Sequence, residues 1–517
     1  MAEKRDIDNH DRDNHPITFE EALDRTGNGL YNYLLLATCS FILLAIGIDL
    51  FGFSLVVTAA CDLKLSVSEK GILSSIPFIG ILMTSFMWGY ISDTRGRKFT
   101  LVVPLLVSFA LSCISSLAPH WLFLGFFKFL SICFSCAANS TSYTLVGESC
   151  IQRVRSKYML LMTCLIILSP AMAGVITFPI LKLHFSAEIS WLGIEFKPWR
   201  LLVLVLALPS GFGALALNFF FESPKFLYGR GRKEEALDVL KTIYAINHRG
   251  SKDGYQVSSI STEEILAKKD MSLPRAMYEQ SASLFRAPYL YRSLQLYYIV
   301  AVVYITNNSY LVWLPHIMNL VRVSLESNIT DPGGVCSLIT TKIVPDAAAN
   351  STLPTKISPD ICLGTIEDNV IFTLIGSQCI FSFLNFIISY LPNRKKAVLI
   401  TILILSSCAG VGINLMPEPI SSVFMFMVFT CTCLGMGILA SYFVDLYPTS
   451  YRGMAACLSI MVGRSCTFVG INLVGNLIFY HCEITFYLWS LLVLSSVIAA
   501  SFLPPDKPVS KQCETKL

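Results

Sequence analysis

Apolar runs of about 20 residues recur along this chain, and they restrict its fold more than any other feature of the sequence. A helix needs about 20 mostly apolar residues to cross the hydrocarbon core of a bilayer. Twelve runs meet this length. We place them at 31–57, 71–91, 101–119, 121–147, 159–180, 200–221, 293–318, 369–390, 397–416, 421–446, 454–479 and 485–503. The sequence therefore predicts an all-α, polytopic membrane protein.

The composition excludes several other classes of protein. Of 517 residues, 54% are hydrophobic and 14% are charged, whereas soluble globular proteins carry about 25% charged residues. The net charge of +4 is small and spread over the loops, so no nucleic-acid partner is indicated. Most of the 17 cysteines lie in apolar runs without metal-ligand spacing, and no catalytic or ATP-binding motif is present. We predict neither an enzyme nor a metal or cofactor site.

Lysine and arginine residues cluster in alternate loops. Short loops rich in these residues stay in the cytoplasm, which predicts that both termini are cytoplasmic. Residues 1–29 are dense in charge, so no secretory signal peptide is expected. The predicted division is a cytoplasmic segment 1–30, a six-helix bundle 31–221, a cytoplasmic loop 222–292, a six-helix bundle 293–503 with a long external loop 319–368, and a cytoplasmic tail 504–517.

One short polar stretch, Gly89–Lys98, lies between the second and third apolar runs. Gly89 is expected to let two helices approach, and Gly96 to permit a turn. Asp93 is expected to form a charge cluster with the three nearby cations Arg95, Arg97 and Lys98. The pattern G-x-x-x-D-x-x-G-R-K predicts a tight, positively charged hairpin at the membrane surface.

This decapeptide resembles the signature between the second and third helices of major facilitator superfamily transporters. The resemblance implies two six-helix halves that rock about a central cavity. It also implies secondary active transport of a small organic solute and binding to membrane lipid. Whether an ion or a proton is coupled stays open.

A shift of 297 residues relates the two halves of the sequence. It carries Glu148 to Asp445, Arg155 to Arg452, and Arg97-Lys98 to Arg394-Lys395. Because three separate correspondences share one offset, the sequence predicts that the two halves of the chain arose by duplication. Tyr390 and Asn393 replace Asp93 and Gly96 in the second copy, so the charge cluster there is expected to be weaker.

The segments outside the bundles resemble the branch of synaptic vesicle glycoprotein 2 and organic-ion transporters. Thr18 and Glu21 have capping-box spacing, and Gly27 is placed to end a short helix. Ser223 and Pro224 are placed to begin another, whereas the composition of 250–278 predicts a mobile linker.

The loop at 319–368 contains the glycosylation sequons Asn328-Ile-Thr and Asn350-Ser-Thr, and we predict that Cys336 pairs with Cys362. A long loop at this place also resembles the synaptic vesicle glycoproteins.

Three ionisable residues lie inside predicted spans: Asp49, Lys128 and Arg464. Such residues are rare in membranes unless they are paired or face water. The family resemblance implies that spans one, four, seven and ten line the cavity, so Asp49 and Lys128 are expected to meet. The pair is either a switch for coupling or a fixed structural contact. For Arg464 we favour a structural role over substrate contact.

Neutral polar residues in the spans are candidates for a binding site, although such residues also hold helices together. They are Asn139, Asn307, Asn308, Tyr310 and Tyr442.

Two functions follow from this reading of the sequence. The first is a secondary transporter, and the alternative is a transporter-like protein that regulates vesicles or binds partners without transport. The plasma membrane and a synaptic or secretory vesicle membrane both stay open. The ending Glu514-Thr-Lys-Leu517 is either a PDZ-binding strand or a disordered tail.

Overall fold

The computed structural model describes residues 17–190, 192–257, 260, 282, 284–286, 289–326, 335–340, 368–388, 394–447 and 449–504. Several predicted features lie outside the described residues. They are Asn328, Asn350, Cys362, Tyr390, Asn393 and the tail from residue 505 onward.

The described chain is almost entirely helical. The helices before residue 223 are α1 (Phe19–Arg25), α2 (Leu30–Ala59), α3 (Val67–Arg95), α4 (Arg97–Ser115), α5 (Trp121–Ser135), α6 (Ala137–Ser149), α7 (Gln152–Leu181) and α8 (Pro198–Leu217). Two short antiparallel strands, β1 (Ala187–Ile189) and β2 (Ile194–Phe196), lie between α7 and α8. We call α2–α8 the first half.

The remaining helices begin after residue 223, and the first two of them lie between the two halves. They are α9 (Pro224–Gly229), α10 (Lys233–His248), α11 (Leu290–Glu326), α12 (Val335–Thr340), α13 (Asp368–Ile388), α14 (Lys395–Leu415), α15 (Pro419–Phe429), α16 (Cys433–Leu446), α17 (Thr449–Leu477) and α18 (Cys482–Ser501). Short 3₁₀ turns occupy Cys61–Leu63, Lys252–Gly254 and Thr430–Thr432. We call α11–α18 the second half.

Eleven helical segments of the described chain are long and apolar enough to cross a membrane, so the predicted all-α polytopic fold is confirmed. The α5–α6 segment counts as one span, with a break at Cys136. The remaining predicted span, the seventh, corresponds to the 37-residue helix α11, which carries Asn307 and Asn308 near its middle.

The two halves are built alike, as the 297-residue offset predicts. Helix α4 packs on α8 in the first half, and α14 packs on α18 in the second. In each half a lysine at the start of the third membrane helix donates to carbonyl groups at the end of the sixth. Lys98 Nζ lies 2.8 Å from the carbonyl oxygen of Asn218, and Lys396 Nζ lies 2.8 Å from that of Ser501.

The halves meet along two equivalent helix pairs, α3 with α17 and α7 with α13. We call the end of the helices that carries Gly89–Lys98 the hairpin end. Towards the opposite end, Asn472 Nδ2 donates to Ser75 Oγ at 3.0 Å, and Lys182 Nζ pairs with Asp368 Oδ2 at 2.7 Å. These contacts join the two halves away from the hairpin.

A small separate core lies at the hairpin end. Helix α1 buries Phe19, Ala22 and Leu23 against apolar side chains of α9 and α10. Thr18 caps α1, Ser223 caps α9, and Gly27 ends α1 with φ +69°, as predicted.

The prediction of a mobile linker from residue 250 is wrong for its first part. Tyr255 and Val257 are buried in the same small core, and the Tyr255 hydroxyl donates to the Ala22 carbonyl at 2.7 Å. Its composition is polar, but two apolar side chains anchor this segment to α1.

The predicted pairing of Cys336 with Cys362 differs from the structure, in which Cys336 is bonded to Cys482. Helix α12 carries Cys336 to the first residue of α18, 146 positions further along the chain. Sequence proximity favoured Cys362, whereas the packing of α12 on the second half brings Cys482 within reach.

Peptide mapping checks this disulfide. Digestion of the purified protein without reductant is expected to yield one linked peptide pair that contains Cys336 and Cys482. In the variant Cys482→Ser, Cys336 should become open to alkylation after denaturation. A peptide that links Cys336 to Cys362 in the native protein would contradict the assignment.

Candidate transport site and hairpin network

A buried ion pair joins α2 to α5 inside the first half. Lys128 Nζ lies 2.5 Å from Asp49 Oδ1, and the two side chains are 2% and 7% exposed. The ammonium also lies 5.2 Å from the centre of the Phe53 ring, one helical turn from Asp49. The predicted contact between Asp49 and Lys128 is therefore present, and its role in coupling stays a prediction.

A small cleft is lined by residues of both halves, among them Gly47 and Leu50, which are near neighbours of Asp49 on α2. Most of its wall is apolar, and Ser135, Cys136, Asn139 and Arg464 contribute the polar atoms. The other lining residues are Ile46, Gly47, Leu50, Phe51, Ile81, Ile132 and Ile166. Sequence reasoning singled out Asn139 and Arg464 and missed Ser135, which resembles any other serine inside an apolar run.

Arg464 extends from α17 of the second half towards the first half. Its guanidinium carbon lies 5.5 Å from the Phe78 ring centre and 5.9 Å from that of Tyr304. The residue is 9% exposed, and its Nε atom has no hydrogen-bond partner among the described atoms. No carboxylate of the described residues lies within ion-pair distance of this guanidinium, and the structural role favoured from the sequence stays a prediction.

Four of the predicted lining residues lie elsewhere. Asn307 donates to Asn308 of the same helix, and Asn308 donates to Thr467 Oγ1 at 3.2 Å, so the Asn308 amide links α11 to α17. Tyr310 is fully buried in the second half. Its ring packs against Phe426, Phe429, Phe486 and Trp489.

Tyr442 on α16 is also buried and does not line the cleft. Helical periodicity shows which residues share a face, but it does not show which face meets the cavity.

Arg97 is the centre of a charge network at the hairpin end. Its guanidinium binds Asp93 Oδ1 at 3.0 Å and Glu148 at 2.9 Å, and it lies 4.9 Å from the Phe226 ring centre. Glu148 also accepts a hydrogen bond from Ser223 Oγ at 2.5 Å. The predicted cluster thus contains Asp93 and Arg97, extended by Glu148 from the end of α6.

Glu222 completes this network, although no sequence pattern predicted a role for it. Its carboxylate accepts from the backbone nitrogens of Arg97 at 2.8 Å and Lys98 at 3.1 Å, the first two residues of α4. An acid at this place satisfies free N–H groups and complements the helix dipole. No local pattern identifies such a cap, because 124 residues separate it from Lys98.

The two glycines of the hairpin differ. Gly96 has φ +104°, and a Cβ atom there would lie 2.3 Å from Glu222 Oε2. A Cβ at Gly89 would have no atom within 4 Å, so the prediction that Gly89 allows close helix approach is wrong. Arg95, the third cation of the hairpin, is exposed.

Arg155, at the start of α7, binds the N-terminal helix. It donates to Glu20 Oε2 at 2.7 Å, and Lys225 Nζ lies 3.0 Å from Glu20 Oε1. Asp24 accepts from the backbone nitrogen of Gln152 at 3.0 Å and caps α7. Partial burial opposes ionisation of Glu20, but hydrogen bonds from Arg155 and Lys225 outweigh it and lower the pKa of this carboxyl.

The counterparts in the second half are Asp445, near the end of α16, and Arg452, in the first turn of α17. Their side chains lie outside the described residues, so the predicted charge set of that half stays a prediction.

The family model of the Major Facilitator Superfamily matches residues 37–471. The chain belongs to the Major Facilitator Superfamily. This confirms the family resemblance of the Gly89–Lys98 hairpin.

Curated relatives in this superfamily include the synaptic vesicle glycoproteins. The chain is 28% identical over 233 residues to synaptic vesicle glycoprotein 2C of Homo sapiens, a match that covers 45% of this chain and 32% of the relative. It is 26% identical over 261 residues to synaptic vesicle glycoprotein 2A of Rattus norvegicus, covering 50% and 35%. The matches span about a third of the length of these relatives.

Solved structures of this superfamily share the fold. The xylose transporter XylE from E. coli in its inward open conformation superposes with a TM-score of 0.64, covering 93% of this chain and 98% of that chain at 13% identity. Its partially occluded inward open conformation gives 0.60, with 92% and 100% covered at 13% identity.

Alanine substitutions in the hairpin test the role of Gly96. Gly96→Ala should lower the free energy of unfolding by about 1–3 kcal/mol, because its backbone conformation is strained for other residues and Glu222 blocks the Cβ. Gly89→Ala is the matched control, since its Cβ meets open space. Thermal denaturation in detergent is the measurement. Equal melting temperatures for the two variants would refute the Gly96–Glu222 fit.

The N-terminal contact predicts a pH-dependent docking of α1. Glu20→Gln should speed amide hydrogen exchange in α1 about fivefold, the effect of losing about 1 kcal/mol. Folding lowers the pKa of Glu20, so its ion pairs stabilise docking fully at pH values above the ordinary glutamate pKa. This contribution is lost as the pH falls through the lowered pKa of Glu20.

Glu21→Gln is the control for this experiment, because Glu21 is 52% exposed and pairs with Arg25 of the same helix. Equal exchange rates in the Glu20→Gln and Glu21→Gln variants would show that the bridge to Arg155 does not hold α1.

Proposed function

We propose that this protein is a secondary transporter that moves a small organic solute by alternating access. The cleft beside Arg464 carries the proposal, because helices of the first half and α17 of the second both line it. A site shared by two halves changes its exposure when the halves rock against each other. The superfamily membership and the fold shared with XylE support this function.

We assign Asp49 and Lys128 the role of a coupling pair. Asp49 lies between Gly47 and Leu50, which line the cleft, so movement of α2 around a bound solute would strain the ion pair. Protonation of Asp49 would leave the Lys128 charge unbalanced in a buried place, which links proton binding to the conformation of α2. The alternative that the sequence left open is a fixed structural contact. It predicts a different result in the variants described below.

A second candidate is a protein of vesicle membranes that binds partners without transport. The similarity to synaptic vesicle glycoproteins 2A and 2C favours it.

Flux measurements separate the two functions. Solutes are first selected from a broad panel by thermal stabilisation of the purified protein in detergent. The selected solutes are then tested for uptake into proteoliposomes with and without an inward proton gradient. Uptake above that of protein-free liposomes supports transport, whereas stabilisation without uptake of any solute favours the partner-binding function.

Variants of the ion pair test the coupling role. Asp49→Asn alone should destabilise the protein by about 3–5 kcal/mol, because it leaves the Lys128 charge buried without a partner. The double variant Asp49→Asn with Lys128→Gln removes both charges and should fold. We expect it to lose gradient-driven accumulation while it retains solute exchange.

The exposed pair Glu195 and Lys197 serves as the control, neutralised in the same way. Normal accumulation in the Asp49 and Lys128 double variant would make this pair a structural contact and remove it from coupling.

A further inference from the structure

We propose that Thr84 and Trp88 of α3 are positioning residues for the cleft. They hold the break in the fourth membrane span, between α5 and α6, and the two sides of this break supply Ser135 and Asn139 to the cleft wall. The inference rests on the proposed function only in taking the cleft as the solute site.

The break at Cys136 is the first observation. Cys136 has φ −61° and ψ −22°, the values of a 3₁₀ turn, and the Asn139 nitrogen donates to the Cys136 carbonyl, three residues back, at 3.2 Å. Ser135 is the last residue of α5, whereas Asn139 lies in the first turn of α6. The geometry of this turn therefore sets how Ser135 and Asn139 stand relative to each other along the cleft.

Side chains of α3 bind the backbone at this break. Trp88 Nε1 donates to the Cys133 carbonyl at 2.6 Å, and the Thr84 hydroxyl lies 3.0 Å from the same oxygen. The Thr84 hydroxyl is also 3.0 Å from Cys136 Sγ, so it reaches the break residue itself. A side chain that enters the backbone hydrogen-bond ladder of a helix is a known cause of a kink. Thr84 and Trp88 thus account for a break at this place in the span.

Trp88 is the stronger of the two supports. Its side chain is buried, and its ring packs 5.7 Å from that of Phe134 on α5. The indole nitrogen is a donor only, so the loss of its buried acceptor would cost free energy. The Thr84 hydroxyl has a single hydrogen, for which the Gly80 carbonyl at 2.8 Å competes. We therefore expect Trp88 to hold the carbonyl and Thr84 to hold the Cys136 thiol.

The second half contains a break at the corresponding position. The 297-residue offset carries Cys136 to Cys433, which directly follows the 3₁₀ turn Thr430–Thr432. Here the Phe429 carbonyl accepts a hydrogen bond from Ser406 Oγ of α14 at 2.6 Å. In both halves a neighbouring helix supplies a side-chain donor to a carbonyl just before the break. This repetition indicates that the supported break is a built-in feature of the fold.

The support comes from the helix that also leads into the hairpin. Trp88 immediately precedes Gly89, and one turn later the Ser92 carbonyl accepts from Arg97 Nη1 at 3.1 Å. Consecutive turns of α3 thus bind the break beside the cleft and the charge network of the hairpin end. A displacement of α3 against α5 and α6 would act on both.

The Cys136 thiol reports on the break, because it lines the cleft but is only 5% exposed. Its labelling by N-ethylmaleimide therefore depends on local opening of the turn. Labelling of the full-length protein in detergent is followed at each cysteine by mass spectrometry. Trp88→Phe keeps an aromatic ring but removes the donor, and it should speed labelling of Cys136 about fivefold, the effect of losing one net hydrogen bond. Cys39 on α2 is the internal standard for general unfolding, because it is fully buried.

Substitutions at Thr84 complete the test. Thr84→Val removes the hydroxyl and should also speed labelling of Cys136, whereas Thr84→Ser keeps the hydroxyl and should retain the slow rate. Thr144→Val is the matched control, since the Thr144 hydroxyl donates to the Ser140 carbonyl within α6 at 3.1 Å.

Two results would overturn the proposal. One is an unchanged rate at Cys136 in both Trp88→Phe and Thr84→Val, and the other is an equal rise at Cys39, which would mean general destabilisation. If Trp88→Phe does not fold, Thr84→Val decides by the same criteria.

The outcomes separate this inference from the proposed function. Faster labelling of Cys136 alone, in a protein that takes up no solute into proteoliposomes, would uphold the support of the break and contradict transport. Uptake by a protein whose Cys136 rate responds to neither variant would uphold transport and overturn the positioning role.

Discussion

The ion pair between Asp49 and Lys128 ties α2 to α5 in the part of the protein that lies within the membrane. A charged side chain at the centre of a membrane helix costs about 2.5–3.5 kcal/mol on insertion scales, so each partner depends on the other. The 2.5 Å contact is a direct link between α2 and α5. Gly47 and Leu50 on α2, and Ile132 one helical turn after Lys128 on α5, form part of the cleft wall.

A second set of charges organises the hairpin end. Glu222 caps α4, Glu148 binds Arg97, and Glu20 binds Arg155. The contacts of Glu222 and Glu20 join the first half to the chain segments on either side of it, and the pair Glu148–Arg97 joins α6 to α4 within that half. The contacts Ser75–Asn472 and Lys182–Asp368, by contrast, join the two halves away from the hairpin. These contacts connect the first half, α1 and the central helices α9 and α10 into one unit.

Arg464 and Arg97 are two arginines in similar surroundings that differ in their charged partners. Both guanidinium groups lie near aromatic rings, and both are mostly buried. Arg97 binds two carboxylates. Arg464 lines a cleft and is paired with no carboxylate among the described residues. The residue type is the same, and the neighbours supplied by other helices make the difference.

Features that depend on a few consecutive residues were predictable from the sequence. Hydrophobic length determined the membrane helices, the φ of Gly96 follows from the turn that a hairpin needs, and the caps Thr18 and Ser223 act within one helical turn. The repeat offset predicted two similar halves, because duplicated loops keep their charges.

Only the tertiary structure decided which distant residues meet. It paired Cys336 with Cys482, placed Tyr310 among aromatic rings away from the cleft, and brought Ser135 to the same wall as Asn139. Local patterns encode the face of a helix but not the neighbour of that face, which depends on how all the helices pack together. For the same reason the sequence identified Arg464 as a buried charge, and only the packing showed that it faces a cleft lined by both halves.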